Sequence, residues 1–202
     1  MLYAQSETGE KILPEKYGRA FCPFCNGVVI AKCGEINYHH WAHQSNKECD
    51  EWHESESDWH LKWKSQFPKE NVEVTIRKND KRHRADVVGN EGAVIELQHS
   101  SISTIAIREK EVFYKNMLWV FDLANKQHFF KRKEQINERE FSFKWVSPKR
   151  SLIACKKPLY FDYGMKKMLC VTKFSYAGYG TGYYVEKNEF ILEHGGIPQP
   201  AT

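Results

Sequence analysis

Two isolated carboxylates stand in segments that otherwise have the pattern of buried strands. Asp86 lies in Arg-Ala-Asp-Val-Val, and Glu96 lies in Ala-Val-Ile-Glu-Leu-Gln. A carboxylate in such a strand is costly to bury unless a cation or a hydrogen-bond donor offsets its charge. Two carboxylates on adjacent strands can bind one hard divalent cation, which activates a water molecule and stabilises the transition state of phosphoryl transfer. The pair therefore predicts a Mg²⁺- or Mn²⁺-dependent hydrolase that acts on a phosphate-containing substrate.

Three further side chains are expected to join this pair. Gln98 shares the strand face of Glu96 at a distance of about 7 Å, or two strand rises, and its amide could orient the attacking water or hold a phosphate. Glu56 shares a helical arc with three tryptophans, which is unusual for a face that packs on a core. His60, one turn further on, could contact phosphate or the water on the metal. Each acid taken alone could also face solvent, but the combination favours a catalytic site.

Residues 21–50 contain four of the six cysteines and three histidines. Cys22 and Cys25 have the spacing of a zinc knuckle, in which one turn brings two thiolates to the same ion. The most economical completion is His43 with Cys49. The alternative ligands are Cys33, His40 and His53. A structural Zn²⁺ would stabilise a segment that is too short to have a core of its own; the competing interpretation is a set of reduced core cysteines beside surface histidines.

Apolar periodicity places these side chains on an α/β sheet. A helix is predicted over Asp50–Phe67, with Asp50 as its N-cap and Pro68 after its end. The strands and the helix that follow it are predicted at 72–76, 84–88, 93–99, 103–114 (helix) and 117–123. The order of these elements predicts a mixed sheet with a helical crossover. Weaker patterns predict strands at 127–130, 141–146, 159–163 and 168–173, then a Gly/Tyr-rich segment at 176–184 and a helix at 186–193.

The net charge of +4 is only mildly basic, but the positive charge is clustered. Residues 126–150 hold eight basic and three acidic side chains, and residues 77–84 hold five and one. Each block could neutralise phosphates or could be a solvated face. No apolar run approaches the ~20 residues of a membrane span, and residues 1–18 lack the apolar core of a signal peptide. We therefore expect a cytoplasmic protein without membrane association, whose cysteines are thiols or metal ligands.

Together these pieces resemble the competence protein CoiA-like family, whose core belongs to the PD-(D/E)xK nuclease superfamily. The matching segments are Cys22-Pro-Phe-Cys25, His40-Trp-Ala-His43, Glu54-Ser-Glu56-Ser-x-Trp59-His60, Arg84-Ala-Asp86-Val and Glu96-Leu-Gln98-x-Ser100-x-Ile102-Ser103. The resemblance implies a restriction-endonuclease-like core with a mixed central sheet flanked by helices, a zinc-finger-like N-terminal segment, and action on DNA, with RNA not excluded. It implies that Asp86 and Glu96 are metal ligands and that Glu56 is the helix acid. Gln98 stands where the superfamily usually has its lysine.

The expected organisation has three parts: a zinc-finger-like module at 1–50, a nuclease core at 51–125, and a β-rich extension at 126–202 that completes the fold or binds a substrate or partner. The residues expected to contact nucleic acid are Arg84, Ser100, Lys131, Arg132 and Lys133. The alternative function is a non-cleaving nucleic-acid-binding or protein-interaction subunit of a competence or phage-defence complex. A homo-oligomer or a protein partner is compatible with either function.

Overall fold

The computed structural model describes residues 1–36, 38–45, 49–52, 56–124 and 130–198. The fold is mixed α/β, with large sheets and few helices among these residues. Two compact units divide the chain: the first is Met1–Gly89 with Gly195–Thr202, and the second is Asn90–His194. The boundary falls between the strands predicted at 84–88 and 93–99. The functional division into three parts stays a prediction.

The N-terminal segment of the first unit is a small antiparallel sheet. Its strands are β1 (Ala4–Gln5), β2 (Lys11–Ile12), β3 (Arg19–Phe21), β4 (Val28–Lys32) and β5 (His40–His43), in the order β2-β1-β3-β4-β5. The buried residues packed against one another here are Met1, Ala4, Ala20, Cys22, Val29 and Trp41. Only Trp41 among them is large. Because so little apolar surface is buried, this sheet needs stabilisation from other contacts.

The first helix is much shorter than the sequence predicts. Helix α1 spans Asp58–Lys64, and its N-cap is Ser57, which forms a capping box with His60. The predicted start at Asp50 is wrong, because the carboxylate of Asp50 accepts hydrogen bonds from distant groups on a strand instead of capping a helix. The Ser57 capping box satisfies the first amide groups of the helix locally and fixes its start. Part of the predicted helix, 53–55, lies outside the described residues.

Two long strands form a hairpin that completes the described part of the first unit. Strand β6 (Val72–Lys78) pairs with β7 (Lys81–Val88) in antiparallel register. Both predicted strands are confirmed. The basic residues between them mostly extend the two strands, and the chain reverses at Asn79, whose φ is 53°. Glu73 also has a positive φ of 53° inside β6. A left-handed backbone is unfavourable for such a residue, so other contacts must stabilise it.

The second unit is built on a larger sheet. Its elements are β8 (Val94–Gln98), α2 (Thr104–Tyr114), β9 (Met117–Asp122), β10 (Phe130–Gln135), β11 (Phe141–Trp145), β12 (Leu159–Asp162), β13 (Lys167–Phe174), β14 (Tyr179–Glu186) and α3 (Lys187–Glu193). Strands β8, β9 and β12 are parallel neighbours, and β13, β14, β11 and β10 continue the sheet in antiparallel pairs. Helix α2 follows β8 and precedes β9, as the crossover prediction requires. Of the strand predicted at 127–130, only Phe130 is described.

The Gly/Tyr-rich segment predicted at 176–184 contains two glycines of β14 that have no room for a side chain. A Cβ at Gly180 would collide with the Phe143 ring and lie 2.6 Å from the carbonyl oxygen of Lys173. A Cβ at Gly182 would collide with the carbonyl oxygen of Cys170. The absent side chains therefore let neighbouring strands and the Phe143 ring approach β14 closely.

Candidate metal centres and their surroundings

Four predicted zinc ligands converge in the first unit. The Cys22 and Cys49 sulfurs lie 3.7 Å apart, and the Cys25 sulfur lies 3.3 Å from Nε2 of His43. All four ligand atoms lie within 4.8 Å of one another. A tetrahedral zinc with Zn–S bonds of about 2.3 Å places two sulfurs about 3.8 Å apart. The donor set and its spacing therefore fit a Zn²⁺ ion.

The local backbone explains why these side chains meet. The Cys22 carbonyl accepts the Asn26 amide at 2.9 Å, and the Cys22 amide donates to the Gly27 carbonyl at 2.9 Å. The Gly27 amide in turn donates to the Cys25 sulfur at 3.4 Å. Asn26 completes the turn with a φ of 58°. This closed turn aims both thiols at the same point, as the Cys-x-x-Cys spacing predicts.

Two of the alternative ligands lie elsewhere. The Cys33 thiol donates to the carbonyl of Pro14 at 3.7 Å, and Nδ1 of His40 lies 3.0 Å from the carbonyl of Tyr38. Neither belongs to the four-residue cluster found in the described chain. His53 lies outside the described residues. His43 and Cys49, rather than Cys33 or His40, thus lie with Cys22 and Cys25, and the binding of zinc by these four residues stays a prediction.

The thiols of Cys22 and Cys49 differ in the direction of their pKa shifts. The hydrogen bond from Cys49 lowers the pKa of Cys22 to about 4, against the opposing effect of burial. The same hydrogen bond and burial raise the pKa of Cys49 well above its ordinary value. Cys22 is thus the thiolate of the pair, and the thiolate is the form that binds a metal.

A second cluster in the first unit places three carboxylates around one ammonium. Nζ of Lys64 lies 2.7 Å from Glu56, 2.9 Å from Asp86 and 3.2 Å from Glu73. The Lys64 side chain is only 1% exposed, whereas that of Asp86 is 21% exposed. Asp86 is therefore the member of the cluster that solvent reaches most easily. Sequence reasoning predicted Glu56 and Asp86 here and missed Glu73 and Lys64.

Mutual attraction outweighs burial in this cluster. Burial alone would raise the pKa of Glu56 and of Glu73, but attraction to Lys64 holds both below the ordinary range. Burial alone would lower the pKa of Lys64, but Asp86, Glu56 and Glu73 raise it well above the ordinary value. All these groups are therefore charged at neutral pH. The N-terminal ammonium of Met1, 3.8 Å from Glu56 Oε1, and the guanidinium of Arg84 add further positive charge to this cluster of three carboxylates and Lys64.

Glu56 and Glu73 differ in how their oxygens are satisfied. The Glu73 carboxylate accepts the backbone amides of Leu2 and Tyr3, each at 3.0 Å. These bonds compensate for the unfavourable backbone conformation of Glu73. Glu56 has one oxygen on Lys64, while its Oε2 is buried without a hydrogen-bond partner among the described residues. Carboxylate oxygens are the usual ligands of hard divalent cations, and binding of Mg²⁺ or Mn²⁺ here stays a prediction.

Arg84, predicted to contact nucleic acid, interacts with both clusters. Burial would lower the pKa of its guanidinium, but the carboxylates of Glu73 and Glu56 and the thiols of Cys22 and Cys49 raise it. Its positive charge therefore stabilises the acidic cluster and the thiol cluster together. Contact of this side chain with nucleic acid stays a prediction.

His60 lies close to the acidic cluster but has a structural partner. Its Nδ1 is 2.9 Å from the hydroxyl of Ser57 and accepts the Ser57 amide at 3.2 Å. The imidazole is buried. The geometry gives His60 a role in capping α1, and its catalytic role stays a prediction.

An aspartate next to a zinc ligand ties the thiol cluster to strand β7. Asp50 Oδ1 is 2.9 Å from Nδ1 of His83, and Oδ2 accepts the backbone amide of Arg84 at 2.6 Å. The Trp52 ring stacks on His83 with centroids 3.3 Å apart. The segment after Cys49 is thus anchored two residues before Asp86. Sequence reasoning missed this link, because the partners lie more than thirty residues apart in the chain.

In the second unit, Glu96 is buried in β8 and has a lysine partner. Nζ of Lys110 on α2 lies 2.6 Å from Glu96 Oε2 and 5.9 Å from the centre of the Trp119 ring. Sequence reasoning missed Lys110. Its spacing from Ile107 and Tyr114, three and four residues, places it on the buried face of α2 and was the available signal.

The remaining predicted residues of the second unit lie at different places. Gln98 ends β8, is buried, and donates from Nε2 to the Ser100 carbonyl at 3.4 Å, whereas Ser100 is exposed. The three basic residues are on β10, where strand geometry sends Lys131 and Lys133 to one face and Arg132 to the other. The Arg132 guanidinium lies 4.6 Å above the Phe141 ring. The three therefore do not form one continuous basic patch.

None of the helices in the described ranges is long and apolar enough to cross a membrane. A search of curated proteins and a search of solved structures each returned no match. A family model does match part of the chain, namely residues 6–51, and it represents the N-terminal domain of competence protein CoiA. The N-terminal segment that carries Cys22, Cys25, His43 and Cys49 is therefore similar to a CoiA N-terminal domain.

Proposed function

We propose that the protein is a metal-dependent nuclease that hydrolyses phosphodiester bonds in DNA. The observation that carries the proposal is the convergence of three carboxylates at Lys64, with Glu56 Oε2 buried and unpartnered among the described residues and Asp86 partly open to solvent. Carboxylate oxygens are the ligands that a hard divalent cation takes.

Each named side chain has a distinct role in this proposal. Asp86 holds the cation, and Glu56 adds an oxygen ligand. The role of Glu96 as a second carboxylate ligand is carried over from the sequence prediction. The cation supplies Lewis-acid stabilisation of the phosphate and a lowered pKa for a bound water. Gln98 orients that water through its amide. Lys110 supplies the positive charge that Gln98 lacks, because its ammonium already contacts Glu96 at 2.6 Å.

The thiol cluster has a structural role in the same proposal. A Zn²⁺ ion held by Cys22, Cys25, His43 and Cys49 stabilises the N-terminal sheet, and the bonds of Asp50 extend that stabilisation to the strand that carries Asp86. The similarity of residues 6–51 to a CoiA N-terminal domain supports a role in competence and, through it, DNA as the substrate.

A second function has an observation in its favour. Each carboxylate proposed to bind the catalytic cation already contacts a lysine, Asp86 with Lys64 and Glu96 with Lys110. Gln98 is also neutral where a nuclease of this superfamily usually has a lysine. These features favour a non-cleaving nucleic-acid-binding subunit, or a protein-interaction subunit of a competence or defence complex, in which the ion pairs only stabilise the fold.

A cleavage assay separates the two functions. The full chain is incubated with single-stranded DNA, duplex DNA and RNA, in Mg²⁺ or Mn²⁺ and with EDTA. We expect cation-dependent cleavage of DNA that falls about 100-fold or more in Asp86→Asn and in Glu96→Gln. Cleavage that survives both substitutions and EDTA would show that these residues do not form the site. Binding of DNA without cleavage under every condition would favour the second function.

Glu111→Gln is the matched control for Glu96→Gln. Glu111 is also a buried acid of the second unit, and its carboxylate accepts the Trp119 indole and the backbone amides of Lys156 and Lys157 at 2.9–3.1 Å. Its loss therefore perturbs the fold of the same unit without touching the proposed ligands. We expect Glu111→Gln to lower stability and to retain cleavage.

A further inference from the structure

A histidine that takes no part in the proposed chemistry stands at the carboxyl edge of the parallel strands. Gln98, the last residue of β8, pairs with Phe121, so His99 follows beside Asp122 at the end of β9. Asp122 in turn pairs with Asp162 at the end of β12. The carboxyl ends of parallel strands are where α/β sheets most often bind ligands. The edge that carries Gln98 is therefore the place to look for substrate contacts.

The imidazole of His99 is held in place and remains reachable. Its Nδ1 lies 2.7 Å from Asp122 Oδ2, and the His99 side chain is 45% exposed while that of Asp122 is 9% exposed. Asp122 is itself fixed, since its Oδ1 accepts the amide of Ala124 at 2.9 Å. A carboxylate on Nδ1 keeps the proton on that nitrogen and orients the ring. In the charged form the ring also donates from Nε2, as a phosphate contact requires.

A lysine from a distant segment lies at the same loop. Nζ of Lys149 lies 3.0 Å from the Ser100 carbonyl and 3.4 Å from the His99 carbonyl. Lys149 thus brings an ammonium group to the connection that carries His99. The same connection leads into α2, an eleven-residue helix with Ser103 as N-cap and no acid in its first turn. A helix of this kind adds a favourable potential for an anion at its N-terminus.

The acids of this edge do not make it repel phosphate. Asp122 contacts His99, and Asp162 contacts Nζ of Lys187 at 2.6 Å and the Gly164 amide at 2.9 Å. Each carboxylate therefore has a cationic or donor group against it, and Lys149 adds a further positive charge.

We propose that His99 and Lys149 form a contact site for a phosphate of the nucleic-acid backbone, next to Gln98. The inference rests on the proposed function in taking a nucleic acid as the substrate, but it does not require cleavage. Asp122 acts as the positioning residue of His99. The site grips the backbone rather than a base, because an ammonium and an imidazolium bind phosphate oxygens without reading sequence.

The test measures binding in buffer without added Mg²⁺ or Mn²⁺, so that cleavage does not interfere. Fluorescently labelled single-stranded and duplex DNA, and RNA of the same sequence, are titrated with the full chain at several salt concentrations. We expect Lys149→Gln to weaken binding about 5- to 10-fold near 0.1 M salt and to reduce the slope of log K against log salt by about 0.7–0.9. Lys149→Arg should retain both values, and His99→Gln should weaken binding by a similar factor.

Lys173→Gln is the matched control. Lys173 is exposed on β13 beyond Val171, which pairs with the first residue of β12, so it lies at the opposite end of these strands. We expect it to leave the salt slope unchanged. Thermal unfolding of every variant identifies any that fails to fold. If Lys149→Gln fails to fold, Lys149→Arg still tests the role of the positive charge.

The outcomes separate this inference from the proposed function. Binding without cleavage, with the expected losses in the variants, upholds the phosphate site and rejects the nuclease. If wild type cleaves DNA, but Lys149→Gln and His99→Gln have the same affinities and salt slopes as Lys173→Gln, the phosphate site alone is overturned. Absence of binding to any nucleic acid overturns it as well. Saturation by inorganic phosphate as tightly as by DNA would assign the site to the free anion and reject the backbone.

Discussion

The two units bury different kinds of side chain. The first unit places Lys64 among three carboxylates and gathers three cysteines and a histidine beside a small apolar core. The second unit buries a layer of large rings along its sheet: Trp119, Phe121, Phe141, Phe143, Trp145 and Phe161. Its buried Glu96 meets a single lysine in a balanced pair.

This difference indicates which interactions stabilise each unit. Aromatic burial contributes to stability under most solution conditions, whereas buried charges and thiols depend on their partners, on pH and on a metal. The first unit should therefore respond to metal removal, charge removal and acid, and the second unit should respond to changes in packing. Four experiments test that contrast.

Zinc removal should produce the largest effect, and it should be confined to the first unit. Zinc contributes about 10–16 kcal/mol of apparent binding free energy in zinc-finger peptides, and this binding is coupled to folding. We expect a chelator to remove the hydrogen-exchange protection of β3, β4 and β5 while β9 and β12 keep theirs, as measured by mass spectrometry. Cys25→Ser should have the same effect, and Cys33→Ser should not. Equal loss of protection in both units would break the contrast.

Removal of the buried lysines should come next. Deleting one partner of a buried ion pair costs about 3–5 kcal/mol. We expect Lys64→Met to reach or exceed the upper end, because it leaves three carboxylates together, and Lys110→Met to lie near the lower end, because it leaves one. Urea unfolding gives the free energies, with exposed Lys62→Met as the control on α1. Added Mn²⁺ should stabilise Lys64→Met more than wild type, and the absence of that difference would count against a cation site at Asp86.

A packing change in the second unit should have a smaller effect. In Gly180→Ala the new methyl group meets the Phe143 ring and the backbone oxygen of Lys173. Overpacking of this kind costs about 1–3 kcal/mol. We expect a lower urea midpoint with no change in the response to chelator. Gly34→Ala, where no atom lies within 4 Å of the added methyl, should leave the midpoint nearly unchanged.

Acid should produce the smallest of the four effects on stability when the pH first falls into the range where the carboxylates become protonated. The pKa of Glu73 is held below the ordinary value because attraction to Lys64 outweighs burial. Its contribution is therefore complete above the unfolded pKa, near 4.3, and is lost as the pH falls towards the folded pKa. The pKa of Lys64 is raised, so its contribution is complete below about 10.4 and is lost as the pH rises further.

Urea midpoints between pH 3 and pH 7, without added divalent cation, measure the acid side. We expect stability to fall below about pH 4–5, and Glu73→Gln to flatten that fall. Exposed Glu7→Gln is the control in the same unit and should follow wild type. A fall of equal steepness in Glu73→Gln would show that other groups determine the acid sensitivity.

Much of the fold of the second unit could be predicted from sequence, and the reason is local. Helix α2 and strands β8 and β9 have long, regular apolar patterns, and Ser103 is a good N-cap, so each element is favoured by its own residues. The start of α1 could not be predicted in this way. Both Asp50 and Ser57 are good N-caps, and the bonds from Asp50 to His83 and Arg84 decide between them.

The candidate sites show the same division. The thiol cluster could be predicted because Cys-x-x-Cys spacing and one turn bring two ligands together. The lysines at 64 and 110 could not, because a lysine in a helix is normally exposed. Only the carboxylates that surround them make their burial favourable. Glu73 was missed for a related reason, since its backbone conformation and its bonds to Leu2 and Tyr3 are invisible in a strand pattern.

By itself, the sequence determined where most strands and helices form, which four cysteine and histidine side chains converge, and which acids stand in apolar strands. These properties follow from periodicity and short-range spacing, which act over a few residues. The tertiary structure decided that Lys64, Glu73 and Lys110 accompany those acids, and that His99 meets Asp122. Electrostatic pairing depends on the distance between side chains and on their burial, and both are fixed only when segments far apart in the chain pack together.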